Sequence, residues 1–257
     1  MNDPDLPLSG LSVILVGARF PENVGMAARA CANMGCPNLI LVAPERWLPD
    51  KARPLATPKG EPLLDNIRIA GDLDQALADQ TLIVGATARI GGWRRNVLTP
   101  EEAAAAIAPV LDEHEPAALV FGREDRGLSN AELTRCSHIV TIPTAGAASL
   151  NLAQAVLLVL YACLRAMEKP RLPDPGRLSR RATHAEMEMV YAALREALLD
   201  IDCLHPDNPE YFFMPVRRFL GKTGLRRHEA DMLMGMCRQI RSLAQRRPRK
   251  TDTLNST

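Results

Sequence analysis

Ile142-Pro143-Thr144-Ala145-Gly146-Ala147-Ala148-Ser149-Leu150-Asn151-Leu152-Ala153 is the stretch on which the reading of this chain turns. A β-branched run breaks into a small-residue loop, and the loop gives way to a long apolar segment that reads as a helix. Pro143 ends the strand because it has no N–H for the ladder. Gly146 and its neighbouring alanines leave room for a ligand to approach the backbone. Ser149 is a candidate N-cap, and Asn151 then falls in the first turn, where free backbone N–H groups point outward. An ordinary strand-to-helix turn would show the same pattern, so the loop has to be weighed with the rest of the chain.

Upstream, the pattern alternates strand and helix. Leu11 to Gly17 is a short aliphatic strand stopped by glycine. A helix follows from Pro21, which suits a first helical position, to Gly35, which suits the stop. Asn38 to Ala43 is the next strand, so the first unit is a right-handed parallel crossover. Pro44 to Pro62 is rich in proline and charge and is expected to be loop. After short helical pieces, strands are expected at Thr81–Thr87, Ala117–Phe121 and Ile139–Ile142, with a helix from Glu101 to His114. Ser129 and Glu132 have capping-box spacing before a short helix. The segment 88–96 combines cations, two glycines and Trp93, a composition that serves a phosphate or a stacked base as well as a plain surface turn.

The α/β pattern ends near residue 168, after an apolar helix from Leu150 to Met167. Residues 169–182 read as a linker, residues 183–247 as a small helical extension opened by a Thr183/Glu186 capping box, and residues 248–257 as a disordered tail. With 257 residues, 47% hydrophobic and 24% charged, the chain has the composition of a globular protein with a real core. There is no uncharged apolar run of about 18 residues, and the acidic start Met1-Asn2-Asp3-Pro4-Asp5 is unlike a signal peptide, so the expected location is the cytoplasm. The six cysteines form no CxxC pair and are read as reduced thiols, with no metal site. Residues 1–164 carry 13 Lys/Arg against 18 Asp/Glu and residues 165–257 carry 18 against 12, giving halves of −5 and +6. A basic arm on an acidic body suits contact with a polyanion, and equally a solvated helical surface.

The usual phosphate cradles, G-x-G-x-x-G after the first strand and G-x-x-x-x-G-K-[ST], are absent. Three other motifs stand in order: Asn23-x-Gly25-x-x-x-Arg29-x-x-x-x-x-Gly35, Gly122-x-Glu124-x-x-Gly127-Leu128, and Ile142-Pro143 through Ser149-Leu150-Asn151-Leu152-Ala153-x-Ala155. Together they resemble the three motifs of the SpoU/TrmH family, the RNA ribose 2′-O-methyltransferases of the SPOUT superfamily. The helical part, through Tyr211-Phe212-Phe213-x-x-x-Arg217-Arg218-Phe219-Leu220, is similar to the extension of the TrmJ branch.

The resemblance implies an α/β fold with a mostly parallel sheet, a deep trefoil knot in its C-terminal part and a small α-helical extension. It implies a homodimer using S-adenosyl-L-methionine and no metal. The donor contacts would be Thr87, Ala88, Arg89, Gly122, Ile142, Ser149, Leu150 and Asn151. Asn23, Arg29, Glu124, Ser149 and Asn151 would be catalytic, although a helix cap for Asn23 and an arginine partner for Glu124 are the plain alternatives. The implied substrate is tRNA, at the cytidine or uridine of nucleotide 32 in the anticodon loop. An rRNA ribose, another tRNA position, or a non-catalytic RNA-binding dimer are the competing readings. Arg29, Arg94, Arg95, Arg180, Arg181, Arg217 and Arg218 are the expected RNA contacts, joined in the basic arm by Arg177, Arg226 and Arg227. The family role of Arg29 in activating the hydroxyl meets a physical objection, since a guanidinium with a pKa above about 12 is a poor base. Phosphate binding and electrostatic stabilisation of the forming alkoxide suit it better.

Overall fold

The computed structural model describes residues 6–89, 97–145, 149–168 and 179–246. Its centre is β1 (Leu11–Val16), buried along its whole length. A strand buried at every position, and aliphatic at all but Ser12, has to be covered on both faces, which is the condition of a parallel sheet. The chain continues through α1 (Pro21–Met34), β2 (Asn38–Val42), α2 (Pro49–Asp65), β3 (Arg68–Ala70), α3 (Leu73–Leu77), β4 (Leu82–Ala86), α4 (Pro100–Asp112), β5 (Ala117–Phe121), α5 (Asn130–Leu133), β6 (His138–Val140) and α6 (Leu152–Met167). Among the described residues the strands form one parallel sheet in the order β3-β2-β1-β5-β4-β6.

Alternation along β1 divides the core. Val13 and Leu15 pack under α1, α2, α4 and α6, whereas Ile14 and Val16 pack under α3 and α5. The strand order reverses between β1 and β5. The crevice beyond the carboxyl ends of those strands is where open α/β sheets hold ligands.

Several sequence expectations are corrected. The stretch 44–62, expected as loop, contributes most of α2, two helical halves broken at Thr57 (φ 61°, ψ 164°). Pro49 and Pro58 each open a half, where the missing N–H is of no consequence. Ala52, Ala56, Gly60 and Leu64 make a buried stripe at four-residue spacing against α1. The helices touch backbone to backbone: a Cβ on Gly25 would sit 2.1 Å from the Ala52 carbonyl oxygen. Edge strand β3 falls where short helical pieces were expected, and β6 ends at Val140 instead of Ile142. The N-cap of α6 is Asn151, not Ser149. Its Oδ1 accepts hydrogen bonds from the N–H groups of Ala153 (2.9 Å) and Gln154 (3.4 Å).

Beyond residue 178 come α7 (His184–Asp200), α8 (Pro209–Thr223) and α9 (Arg227–Arg246). The Thr183/Glu186 capping box forms, and Arg180 paired with Glu186 holds that carboxyl down at about 2. The His184 and Ala185 N–H groups donate to the carbonyls of Gln80 and Ala78 at 2.7 and 3.2 Å. Arg226 reaches Glu113 on the α4 side at 3.2 Å, with both side chains largely buried. Cys31, Cys36, Cys163 and Cys237 are buried and Cys203 is exposed; all six thiols are free. Among the described residues no helix is long and apolar enough to cross a membrane.

Candidate active site at the carboxyl ends of the sheet

Three loops meet beyond β4, β5 and β6 and enclose a cavity of about 830 Å³. Thr87, Ala88 and Arg89 come from the first, Gly122 to Gly127 from the second, and Ile142, Ser149 and Leu150 from the third. The volume is that of a site for a small organic molecule. Phe121, Val140, Ile142, Leu150 and Leu152 give it apolar walls, while Glu124 and Ser149 supply polar groups.

The second loop has almost no freedom. The Gly127 N–H donates to the Arg123 carbonyl at 2.7 Å, and Gly127 adopts φ +62°. A Cβ on Gly122 would lie 2.1 Å from the Gly127 carbonyl carbon and 2.2 Å from the Leu128 nitrogen, so only glycine closes this turn. Arg89 clamps it from the first loop, donating through Nη2 to the carbonyls of Arg126 (2.9 Å) and Leu128 (2.7 Å). Arg123 runs beneath to Glu132 at 3.0 Å. Burial opposes ionisation of Glu132, but the Ser129 N–H and hydroxyl and the Arg123 guanidinium outweigh it and hold the carboxyl below its ordinary value.

A second cavity of about 510 Å³ is lined by Phe20, Glu22, Asn23, Glu124, Ser149, Leu150, Asn151 and Leu152. It shares Glu124, Ser149, Leu150 and Leu152 with the first. A chain of hydrogen bonds runs along the shared wall. The Arg19 and Phe20 N–H groups donate to Glu124 at 3.2 and 3.3 Å, and Asn23 Nδ2 donates to Glu124 Oε1 at 2.9 Å. Asn151 Nδ2 then donates to Asn23 Oδ1 at 2.9 Å. Neither plain alternative describes these two residues: Phe20, not Asn23, is the N-cap of α1, and Glu124 is bound by amide groups. One carboxylate thus fixes two amides and, through Asn151, the start of α6.

Arg29 is not in this constellation. It lies six residues beyond Asn23 on α1, about 9 Å along the axis and roughly 240° around it. It is exposed and lines neither cavity. The arginines of the basic arm also have partners within the chain. Arg181 pairs with Glu113 and Glu115 at 3.6 and 3.5 Å, and all three are mostly buried. Arg217 donates to Glu188 and to the Thr134 carbonyl and lies 4.5 Å from the Tyr191 ring centroid. Arg180 and Arg227 are both bound to Glu186. Arg218 lines the cavity between α8 and the sheet, where burial lowers its pKa. Arg181 and Arg226 therefore anchor the extension, because surrendering the largely buried Glu113 or Glu115 to reach a phosphate leaves that carboxylate less compensated. Arg94, Arg95 and Arg177 lie outside the described residues.

Residues 10–161 match the model of the SpoU rRNA Methylase family, and residues 185–251 match that of the tRNA methyltransferase TrmJ C-terminal domain. The chain belongs to the SpoU family. It is 34% identical to the tRNA (cytidine/uridine/adenosine-2′-O-)-methyltransferase TrmJ of Pseudomonas aeruginosa, over 92% of this chain and 96% of that protein. It is 31% identical to the tRNA (cytidine/uridine-2′-O-)-methyltransferase TrmJ of Cronobacter sakazakii, over 94% of this chain and 100% of that protein. Among solved structures, TrmJ from Z. mobilis superposes with a TM-score of 0.73 at 29% identity, covering 89% of this chain and 98% of that one. A methylase family protein from Neisseria gonorrhoeae superposes with a TM-score of 0.65 at 30% identity, covering 72% and 94%.

Phe20, Arg19 and Arg123 are site residues that sequence reading did not single out. Arg123 carried a signal, standing inside the second motif beside Glu124. Phe20 carried only its position before Pro21.

Proposed function

We propose that this SpoU-family protein methylates a ribose 2′-oxygen of tRNA at nucleotide 32, a cytidine or uridine, in the cytoplasm. The observation that carries the reading is the pair of cavities sharing the wall of Glu124, Ser149, Leu150 and Leu152. One is sized for a nucleoside-like donor and the other opens beside it for the target ribose. The names of the relatives above supply tRNA and the 2′-oxygen.

The residues of the larger cavity fit S-adenosylmethionine: apolar walls for an adenine, small residues that let it approach the main chain, and a carboxylate at the rim toward a cation. When bound it supplies an electrophilic methyl group. Held by Thr87, Ala88 and Arg89, the Gly122 turn, and Ile142 with Ser149 and Leu150, it would donate that methyl group to the ribose 2′-oxygen, whose proton would pass to solvent. Glu124 and Asn23 hold the shared wall in place, and Asn151 sets the third loop. Holding the reacting atoms in line contributes about 7–11 kcal/mol, which outweighs the 10²–10⁴-fold typical of a general base. The constellation is thus suited to positioning.

The working unit we propose is a homodimer with the family's knot, using no metal. In this reading Arg29 binds the phosphate next to the target ribose and stabilises the forming alkoxide. The test compares Arg29→Lys with Arg29→Ala. Most of the methylation rate surviving in the lysine variant supports charge placement; equal inactivity with unchanged tRNA affinity refutes it in favour of hydroxyl activation.

A further inference from the structure

We propose that the ring of Phe20 is the surface on which the base of the target nucleotide stacks. The proposal rests on the reading of the site as a ribose methyltransferase. Phe20 is 49% exposed although it is large and apolar, and it is the aromatic member of the smaller cavity's lining. It occupies the N-cap of α1 with no side-chain cap bond. Ser, Thr, Asp or Asn there would satisfy a free N–H of the helix. The position therefore forgoes a local stabilisation and keeps an exposed ring in its place.

The backbone that carries the ring is fixed. Pro21 restricts Phe20 to extended backbone, observed at φ −106° and ψ 112°. Its N–H donates to Glu124 Oε1, the same oxygen that accepts from Asn23. The Arg19 guanidinium lies 5.8 Å from the ring centroid and is itself drawn toward Glu45, at 3.8 Å. A ribose presented to the Asn23–Glu124–Asn151 wall carries its base one glycosidic bond away, beside this ring. Stacking on an aromatic face flanked by arginine is favourable for every base, because every base has a π-face. Phe20 thus contributes affinity and orientation without reading base identity.

The test measures kcat/KM for tRNA in Phe20→Ala, Phe20→Leu and Phe20→Trp, with donor affinity by calorimetry and oligomeric state by sedimentation. Stacking predicts a loss of about ten- to a hundredfold in the alanine and leucine variants. Donor affinity and sedimentation should not change, and tryptophan should restore most of the activity. Undiminished activity in Phe20→Leu overturns the proposal, since leucine keeps an apolar contact but not a π-face. A fall in oligomeric state in Phe20→Ala overturns it too, by placing the ring against a second copy. A fluorescent 2-aminopurine at the target position gives a check that does not need turnover: quenching on binding the wild type and none with Phe20→Leu supports stacking, and equal quenching refutes it. Wild-type protein that methylates no tRNA refutes the functional reading itself, an outcome separate from either.

Discussion

Replacing Gly122 by alanine tests the donor loop at its least forgiving point. The new Cβ would meet the Gly127 carbonyl carbon at 2.1 Å, the Leu128 nitrogen at 2.2 Å and the Gly127 oxygen at 2.5 Å. All three are backbone atoms, so no side chain can rotate away. The loop cannot easily retreat either, since Gly127 is tied to Arg123 and the carbonyls of Arg126 and Leu128 are tied to Arg89. Overpacking of this kind costs roughly 1–3 kcal/mol. For a chain of this size that lowers the melting temperature by roughly 2–4 °C per kcal/mol. Because the strained loop is the cavity wall, the same energy is expected in donor binding. Titration calorimetry with S-adenosylmethionine should show affinity about tenfold or more weaker, and calorimetric melting should show the lower transition. A variant that binds the donor as tightly as wild type and melts at the same temperature would refute the close contact and with it the described loop.

Three further outcomes follow from the geometry. Asn23→Ala removes the link between Glu124 and Asn151 and leaves a partly buried carboxylate short of a donor, a loss of about 1–3 kcal/mol. Methyl transfer should fall at least tenfold with donor affinity little changed, and an equal fall in both would place Asn23 in donor binding instead. Arg226→Met takes from the largely buried Glu113 its nearer arginine and leaves it Arg181 at 3.6 Å, a loss of about 1–3 kcal/mol. Urea unfolding should shift to lower denaturant, and limited proteolysis should release residues beyond 178 first. On the acid side, Arg180 holds Glu186 at about 2 and Arg135 holds Asp74 below its ordinary value, while burial lowers the pKa of His184. All three folded-state values lie below the unfolded ones, so their stabilisation is present at neutral pH. It fades as pH falls, first through His184 below about 6.5 and then through the carboxylates below about 4.5. Urea midpoints recorded from pH 7 to pH 3 should fall less steeply in Glu186→Gln than in wild type, and parallel curves would contradict the assignment.

The particular residues show what a sequence can and cannot disclose. β1 was legible because five of its six residues, Leu11 and Val13 to Val16, are aliphatic, more than a strand buried on one face carries. Gly122 was legible as a motif glycine, though only the structure shows that the atoms it avoids are those of Gly127 and Leu128. The α2 helix was hidden by its prolines. Its buried Ala52, Ala56, Gly60 and Leu64 have helical spacing, but alanine and glycine are too small to stand out as apolar. Ser149 and Asn151 both make good caps, and the contact to Asn23, 128 residues away, accompanies the choice of Asn151. The charge count of the extension was silent on pairing for a similar reason. Arg226 is neutralised by Glu113, 113 residues earlier in the chain, and composition says nothing about which cations are already paired.

The central claim is transfer of a methyl group to one ribose oxygen of tRNA. The direct measurement incubates the purified protein with methyl-labelled S-adenosylmethionine and two tRNAs that differ only at nucleotide 32, one with a ribose there and one with a 2′-deoxyribose. The account predicts label in the first tRNA and none in the second. Equal labelling of both would contradict the assigned target, and no labelling of either would contradict the activity.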